Sequence, residues 1–146
     1  MTLLRMDNVL IVVDDMEAAK EFFIALGMEL EGEATMEGPL VDRLIGLENV
    51  RSEIATLRTP DGHGRIELDR FYSPAAAGAD LRNAPVNTLG LHRIMFAVDS
   101  IDEVLRRLRP RGAELIGEIV QYEDSYRLCY IRGPAGIIVA LAEPLG

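Results

Sequence analysis

The sequence predicts an α+β fold: two βαβββ modules that form a curved mixed sheet around a cleft. Three observations predict it. The chain carries one short pattern twice, NVLIVVDDMEAAKEFFIALG at residues 8–27 and RIMFAVDSIDEVLRRLRPRG at residues 93–112, each an apolar run, a Val-Asp pair, an amphipathic helix and a glycine. Val13-Asp14 and Val98-Asp99 lie 85 residues apart, so residue n of the first copy meets n + 85 of the second. Each helix is followed by short strand-like runs separated by turn signals. One helix covers only one face of such a sheet, so two halves side by side leave a concave surface suited to a ligand.

The elements follow in order. Residues 3–13 alternate loosely and are rich in Leu, Val and Ile, which reads as a strand. Asp14-x-x-Glu17 has the form of a capping box and opens a helix with the stripe Met16, Ala19, Phe23 and Leu26, ended by Gly27. A second strand is expected over Met28–Thr35. Leu40, Leu44 and Leu47 suggest a short helical turn within 38–48. Arg51–Thr59 and Arg65–Phe71 read as strands on either side of the turn signal Thr59-Pro60-Asp61-Gly62. Residues 72–88 gather Pro, Gly, Ala and Asn and make the connector between a first module, residues 1–71, and a second, residues 89–146. The order then repeats. A strand is expected over Leu89–Val98. Ser100-x-x-Glu103 opens a helix with the stripe Ile101, Val104, Leu105 and Leu108, stopped by Arg109-Pro110-Arg111-Gly112. Strands are expected near Glu114–Tyr122 and Arg127–Arg132, then a turn at Gly133-Pro134-Ala135-Gly136 and a last strand at Ile137–Ala142.

A length of 146 residues, 49% of them hydrophobic, suits one domain or two half-modules sharing a core. No apolar run approaches the ~20 residues a membrane span needs. The start MTLLRMDN lacks the order of a signal peptide, so a cytoplasmic protein with no membrane partner is expected. The single cysteine, Cys129, excludes an intramolecular disulfide and a cysteine-rich zinc site. A net charge of −9 argues against a nucleic-acid partner, whose phosphates it would repel. Lys20 is the only lysine, so the remaining basic side chains are arginines, whose fixed fork of donors suits carboxylates and planar groups. The chain has no GxGxxG before a helix, no Walker loop, no HExxH and no GxSxG.

On the duplicated order, and on VVDDMEAAKEFFIALGMEL, RIELDRF, FAVDSIDEVLRRLRPRGAEL and YIRGPAGIIVAL, the chain resembles the vicinal oxygen chelate superfamily over essentially its whole length. That group includes glyoxalase I, extradiol dioxygenases, methylmalonyl-CoA epimerase and the bleomycin- and fosfomycin-resistance proteins, and the fold alone does not name a reaction. The resemblance implies where a metal would be held: one ligand from the first strand and one from the last strand of each half. The first-strand position, five residues before the Val of Val-Asp, is Asn8, and its counterpart is Arg93. The last-strand position is Glu67 in the first half and Ala140 in the second. Ala140 offers no donor and Arg93 brings a permanent positive charge, so no metal cofactor is expected. Arg93 would stand in for the ion and pair with Glu67, sparing a carboxylate the cost of lonely burial. The competing reading turns on a one-residue slip, which exchanges the faces of a strand. His92 and Glu67 would then share a single divalent ion. Parity favours the arginine. Ile94, Phe96 and Val98 match Val9, Ile11 and Val13 under the helices, His92 goes with them, and Arg93 goes with Met95 and Ala97.

Glu67 is thus the candidate general base or ligand anchor, and Arg93 and Asn8 are candidate ligand-binding groups; each has an alternative as a structural partner within the strands. Tyr122, Tyr126 and Arg127 either rim the cleft and stack on a planar ligand or form a solvated hairpin loop. Met95, with Met28 and Met36, belongs to an apolar wall or to ordinary packing. His63 reads as a surface turn residue, and Cys129 as a buried, inert thiol. Two functions are weighed. One is a metal-independent protein that binds a natural product or toxic ligand, like the resistance branch. The other is a glyoxalase- or epimerase-type lyase or isomerase, or a dioxygenase-like enzyme, either metal-dependent or using Glu67 as base. A module with a vestigial cleft, serving in assembly, is a third. The resemblance also implies a homodimer, with residues 72–88 placed to touch the partner.

Overall fold

The computed structural model describes residues 2–78 and 80–146. They belong to two units, Met1–Gly78 and Ala79–Gly146, each built on its own four-stranded sheet. The first unit runs β1 (Val9–Val12), α1 (Met16–Leu26), β2 (Glu29–Glu37), α2 (Pro39–Ile45), β3 (Arg51–Arg58) and β4 (Arg65–Ser73). The second runs β5 (Arg93–Ala97), α3 (Ile101–Leu108), β6 (Leu115–Tyr122), β7 (Tyr126–Arg132) and β8 (Ile138–Pro144). The sheet orders, β1-β4-β3-β2 and β5-β8-β7-β6, are the same order written twice. In each sheet the first and last strands of the module run parallel and the other pairs antiparallel. This is the α+β, mixed-sheet class that the repeat predicts.

The helices form for the reasons their sequences suggest, with one correction. Asp15, not Asp14, caps α1: it has extended backbone angles, and its Oδ1 accepts from the Ala18 amide at 3.0 Å. In α3, Ser100 Oγ accepts from the Glu103 amide at 3.1 Å. The 85-residue offset aligns Asp15 with Ser100, so the caps are equivalent. Gly27 ends α1 with φ +128°, where its amide reaches the Phe23 and Ile24 carbonyls. Both predicted stripes are buried: Met16, Ala19, Phe23 and Leu26 in α1, and Ile101, Val104, Leu105 and Leu108 in α3. They meet strand residues that are themselves sealed from water. These are Ile66 and Leu68 with Ala55 and Leu57 in the first unit, and Val139 and Leu141 with Cys129 and Ile131 in the second. Phe22 packs edge-on to Phe23 with ring centroids 5.2 Å apart.

Two predicted strands are shorter than their apolar runs. Val9 pairs with Ile66 and β4 begins at Arg65, so residues 3–7 run past the end of their partner. Residues 89–92 likewise lead into β5, because β8 begins at Ile138, opposite Arg93. Without a neighbour to satisfy the backbone, apolar composition alone does not make a strand.

The later part of the connector is fastened within the second unit. Arg132 donates to the carbonyls of Ala84 at 2.7 Å, Gly136 at 3.1 Å and Leu81 at 3.5 Å. Gly136 has φ +84°, and a Cβ there would lie 2.3 Å from the carbonyl carbon of Leu81. Only glycine admits so close a backbone approach.

Candidate functional site

A strand presents alternate residues to opposite faces, so the helices define two kinds of surface. In β4, Ile66 and Leu68 lie under α1, and Glu67 takes the uncovered face. Its register neighbours are Leu10 of β1 and Thr56 of β3. Asn8, just before β1, donates through Nδ2 to Glu67 Oε1 at 3.3 Å. Leu10 and Val12 face the same way and stay 43% exposed. Two residues past Glu67, Asp69 is only 4% exposed, and Ser52 on β3 is fully buried. Among the described residues, neither Ser52 Oγ nor Asp69 Oδ1 has a hydrogen-bond partner. Burial raises the pKa of Asp69; the nearby Ser52 hydroxyl acts in the opposite sense without closing a bond of good geometry.

The uncovered face of the second unit carries Arg93, Met95 and Ala97 on β5. Met95 pairs with Ala140, and Ala140 with Tyr130 of β7. The matching pairs in the first unit are Leu10 with Glu67 and Glu67 with Thr56, so Ala140 occupies the place of Glu67 and Tyr130 that of Thr56. Ala140 is fully buried. Arg93 Nη1 donates to the Tyr130 hydroxyl at 2.8 Å, and its guanidinium carbon lies 5.6 Å from the ring centroid. Nothing in the local sequence pattern marks Tyr130 as a site residue. The signal for it lay in the hairpin: folding β7 against β8 about the Gly133–Gly136 turn sets Tyr130 opposite Ala140.

The other candidates separate. Tyr122 and Tyr126 face each other across the β6–β7 hairpin, stacked at 5.6 Å and 15°, and both are exposed. Arg127, expected beside them, has the opposite parity and turns toward α3. Its Nη1 lies 3.6 Å from Asp102 and 3.7 Å from Glu143, whose Oε1 accepts from the Ile101 amide at 2.7 Å. That places Arg127 in the framework at the start of α3. His92 is exposed and precedes β5; its carbonyl accepts from the Ile138 amide at 2.9 Å. His63 is exposed in the turn before β4. Cys129 is buried, which pushes its thiol pKa up against the pull of Arg127.

The four positions that the resemblance assigns to a metal do not fit one. Asn8 turns its amide hydrogen to Glu67, Arg93 is a cation bound to a phenol, and Ala140 has no donor. Among the described residues, no three of His, Cys, Asp and Glu gather into a metal-holding group. A groove of about 340 Å³ runs beside α1, β2 and β3 in the first unit, lined by Met16, Glu17, Lys20 and Glu33 among others. There Lys20 bridges Glu17 at 2.8 Å and Glu33 at 2.7 Å. No described helix is long and apolar enough to cross a membrane.

Comparison with known proteins agrees with the fold. A family model described as the Glyoxalase/Bleomycin resistance protein/Dioxygenase superfamily matches residues 5–141. A glyoxalase family protein from Bacillus cereus has 56% sequence identity, a TM-score of 0.93, and coverage of 100% of this chain and 97% of that one. At the level of fold alone, two more distant structures are similar. A glyoxalase/dioxygenase from Nostoc punctiforme is 18% identical, with a TM-score of 0.67 and coverage of 99% and 94%. TnmS3, an antibiotic binding protein from Streptomyces sp. CB03234, is 18% identical, with a TM-score of 0.61 and coverage of 99% and 98%. No curated protein matches the chain.

Proposed function

Because the chain belongs to the glyoxalase/bleomycin resistance protein/dioxygenase superfamily, we propose that it binds a small organic molecule without a metal ion, on the sheet faces its helices leave uncovered. The observation that carries this reading is the Arg93–Tyr130 pair beside Ala140. Where a metal-using relative would place a donor, this chain has a methyl group, and a guanidinium supplies fixed positive charge nearby. Such a cation, aligned by a phenol, suits a carboxylate, phenolate or carbonyl oxygen on a flat guest. Met95 provides apolar contact on the same face, and Tyr122 and Tyr126 offer aromatic surface at the hairpin. On the first unit, Asn8 and Glu67 offer a donor–acceptor pair to a polar group. The fold likeness to an antibiotic binding protein supports a natural product as the guest. A cytoplasmic location and a homodimeric state belong to the same proposal.

Isothermal calorimetry of the chain, purified without added metal, against flat aromatic natural products bearing an acidic group tests the reading. Saturable binding is expected, weakened about tenfold or more by Arg93→Met, as loss of a charge-assisted hydrogen bond would do. Failure across the panel counts against the proposal, as does stoichiometric iron, zinc, nickel, cobalt or manganese whose removal abolishes binding. The same instrument serves a second reading, favoured by the Asn8–Glu67 contact. A carboxylate oriented by an amide suits a general base of the glyoxalase or epimerase type, and heat that continues after binding saturates would mark turnover.

A further inference from the structure

The uncovered face of the first unit carries a second polar centre, apart from the Asn8–Glu67 contact. Asp69 follows Glu67 by two residues on β4 and shares its parity. Ser52 is one diagonal step away, since Asp69 pairs with Ile54 and Ser52 pairs with Phe71. Both side chains are more than nine-tenths buried, at 4% and 0% exposure, and among the described residues Asp69 Oδ1 and Ser52 Oγ are both without a hydrogen-bond partner. Their register neighbours are apolar: Val12 and Ile54 beside Asp69, Phe71 and Met36 beside Ser52. Val12 remains 43% exposed, so the pair lies close beneath the surface. A single orphaned polar group is uncommon in a folded protein. Two adjacent ones, of complementary chemistry and ringed by apolar side chains, combine the few placed polar groups and the apolar surroundings by which proteins recognise small molecules.

We infer that Ser52 and Asp69 form a hydroxyl-recognising subsite on the first unit, in which one hydroxyl of the guest bonds both residues while its apolar part rests on Val12, Ile54, Phe71 and Met36. The inference rests on the small-molecule-binding reading and states what the guest must carry. A hydroxyl both donates and accepts, so it gives its hydrogen to Asp69 Oδ1 and takes one from Ser52 Oγ. A methyl group in that place would leave both orphans as they are. Sites built around such a pair discriminate against analogues that lack the hydroxyl.

Phenol and toluene, which exchange a hydroxyl for a methyl group, are the probes. Both are titrated into the full-length chain and followed by backbone amide shifts in NMR. Phenol is expected to shift the amides of Ser52 and Asp69 and to bind about tenfold more tightly than toluene, the worth of one buried hydrogen bond. Ser52→Ala and Asp69→Leu remove the preference, and Asp69→Asn, which keeps the shape and a donor–acceptor pair, retains it. Should Asp69→Leu fail to fold, Ser52→Ala decides alone. Equal affinities, shifts confined to other strands, or no binding of phenol would overturn the subsite. Failure of the broader reading shows elsewhere, as acidic aromatic guests that do not bind and an Arg93→Met change without effect.

Discussion

Asp69 is the residue at which this fold departs furthest from what stability alone would select. Its folded pKa is raised by burial, whereas the unfolded chain ionises near the ordinary carboxylate value of about 4. Above that value the unfolded state has released a proton that the folded state still holds, so stability falls as pH rises, until the folded group also ionises. Asp69→Asn has no such proton. The variant should match the wild type in acid and exceed it at neutral pH, with a gap that opens at no more than about 1.4 kcal/mol per pH unit and then levels off. Urea denaturation midpoints of both proteins across that range check it; parallel curves would show that Asp69 is not under this strain. Legibility in the sequence differed sharply between residues. The parity of Arg93 could be read because Ile94, Phe96 and Val98 mark the helix face beyond doubt. The same alternation, applied to β7, separates Arg127 from Tyr126 and Tyr130, but the strand expected from Arg127 begins one residue earlier, at Tyr126, and the polar run of residues 122–127 groups by composition side chains that the strand sends to opposite faces. Ser52 and Asp69 carried no signal at all, because their burial depends on what covers the strands and leaves no mark on local pattern.

At the scale of elements, the repeat made the architecture readable and the interactions between elements were not. The order of elements along the chain and the helix stripes followed from the repeat, whereas the order of strands within each sheet did not, and the 85-residue offset would have moved the first cap from Asp14 to Asp15. The link from α1 to β2 through Lys20 was invisible, since Glu17 is a helical neighbour but Glu33 is 13 residues away. Lys20 has its pKa raised to about 12, first by its bond to Glu17 and then by that to Glu33. A folded pKa above the ordinary 10.5 means stability that is complete below that value and fades as pH climbs through 12. Lys20→Met keeps the apolar stem and loses the bridge. It should cost about 1 kcal/mol at neutral pH, since much of the contact is screened by solvent, and the deficit should narrow in alkali. Thermal melts at both conditions report this, and an unchanged deficit in alkali would assign the loss to packing instead.

For the whole molecule, two units of like topology have kept the framework and diverged on their uncovered faces. Equivalent positions hold Glu67 and Ala140, or Thr56 and Tyr130, and that asymmetry distinguishes a duplicated scaffold from a duplicated site. The exposed apolar side chains of α2, with Leu40 at 71% and Leu44 at 79%, support a second copy as their cover. Light scattering should give twice the 16.1 kDa chain mass, falling toward one chain mass when both leucines become Glu; a monomer at every concentration removes that expectation. The hairpin pair Tyr122 and Tyr126 has a practical consequence. The chain holds no tryptophan and four tyrosines, and Tyr122, Tyr126 and Tyr130 all belong to β6 and β7. Its ultraviolet emission is therefore largely a lamp in the second unit. A compound that docks at Arg93, beside the Tyr130 ring, should dim it, so a single cuvette reports whether that half of the duplication has been occupied.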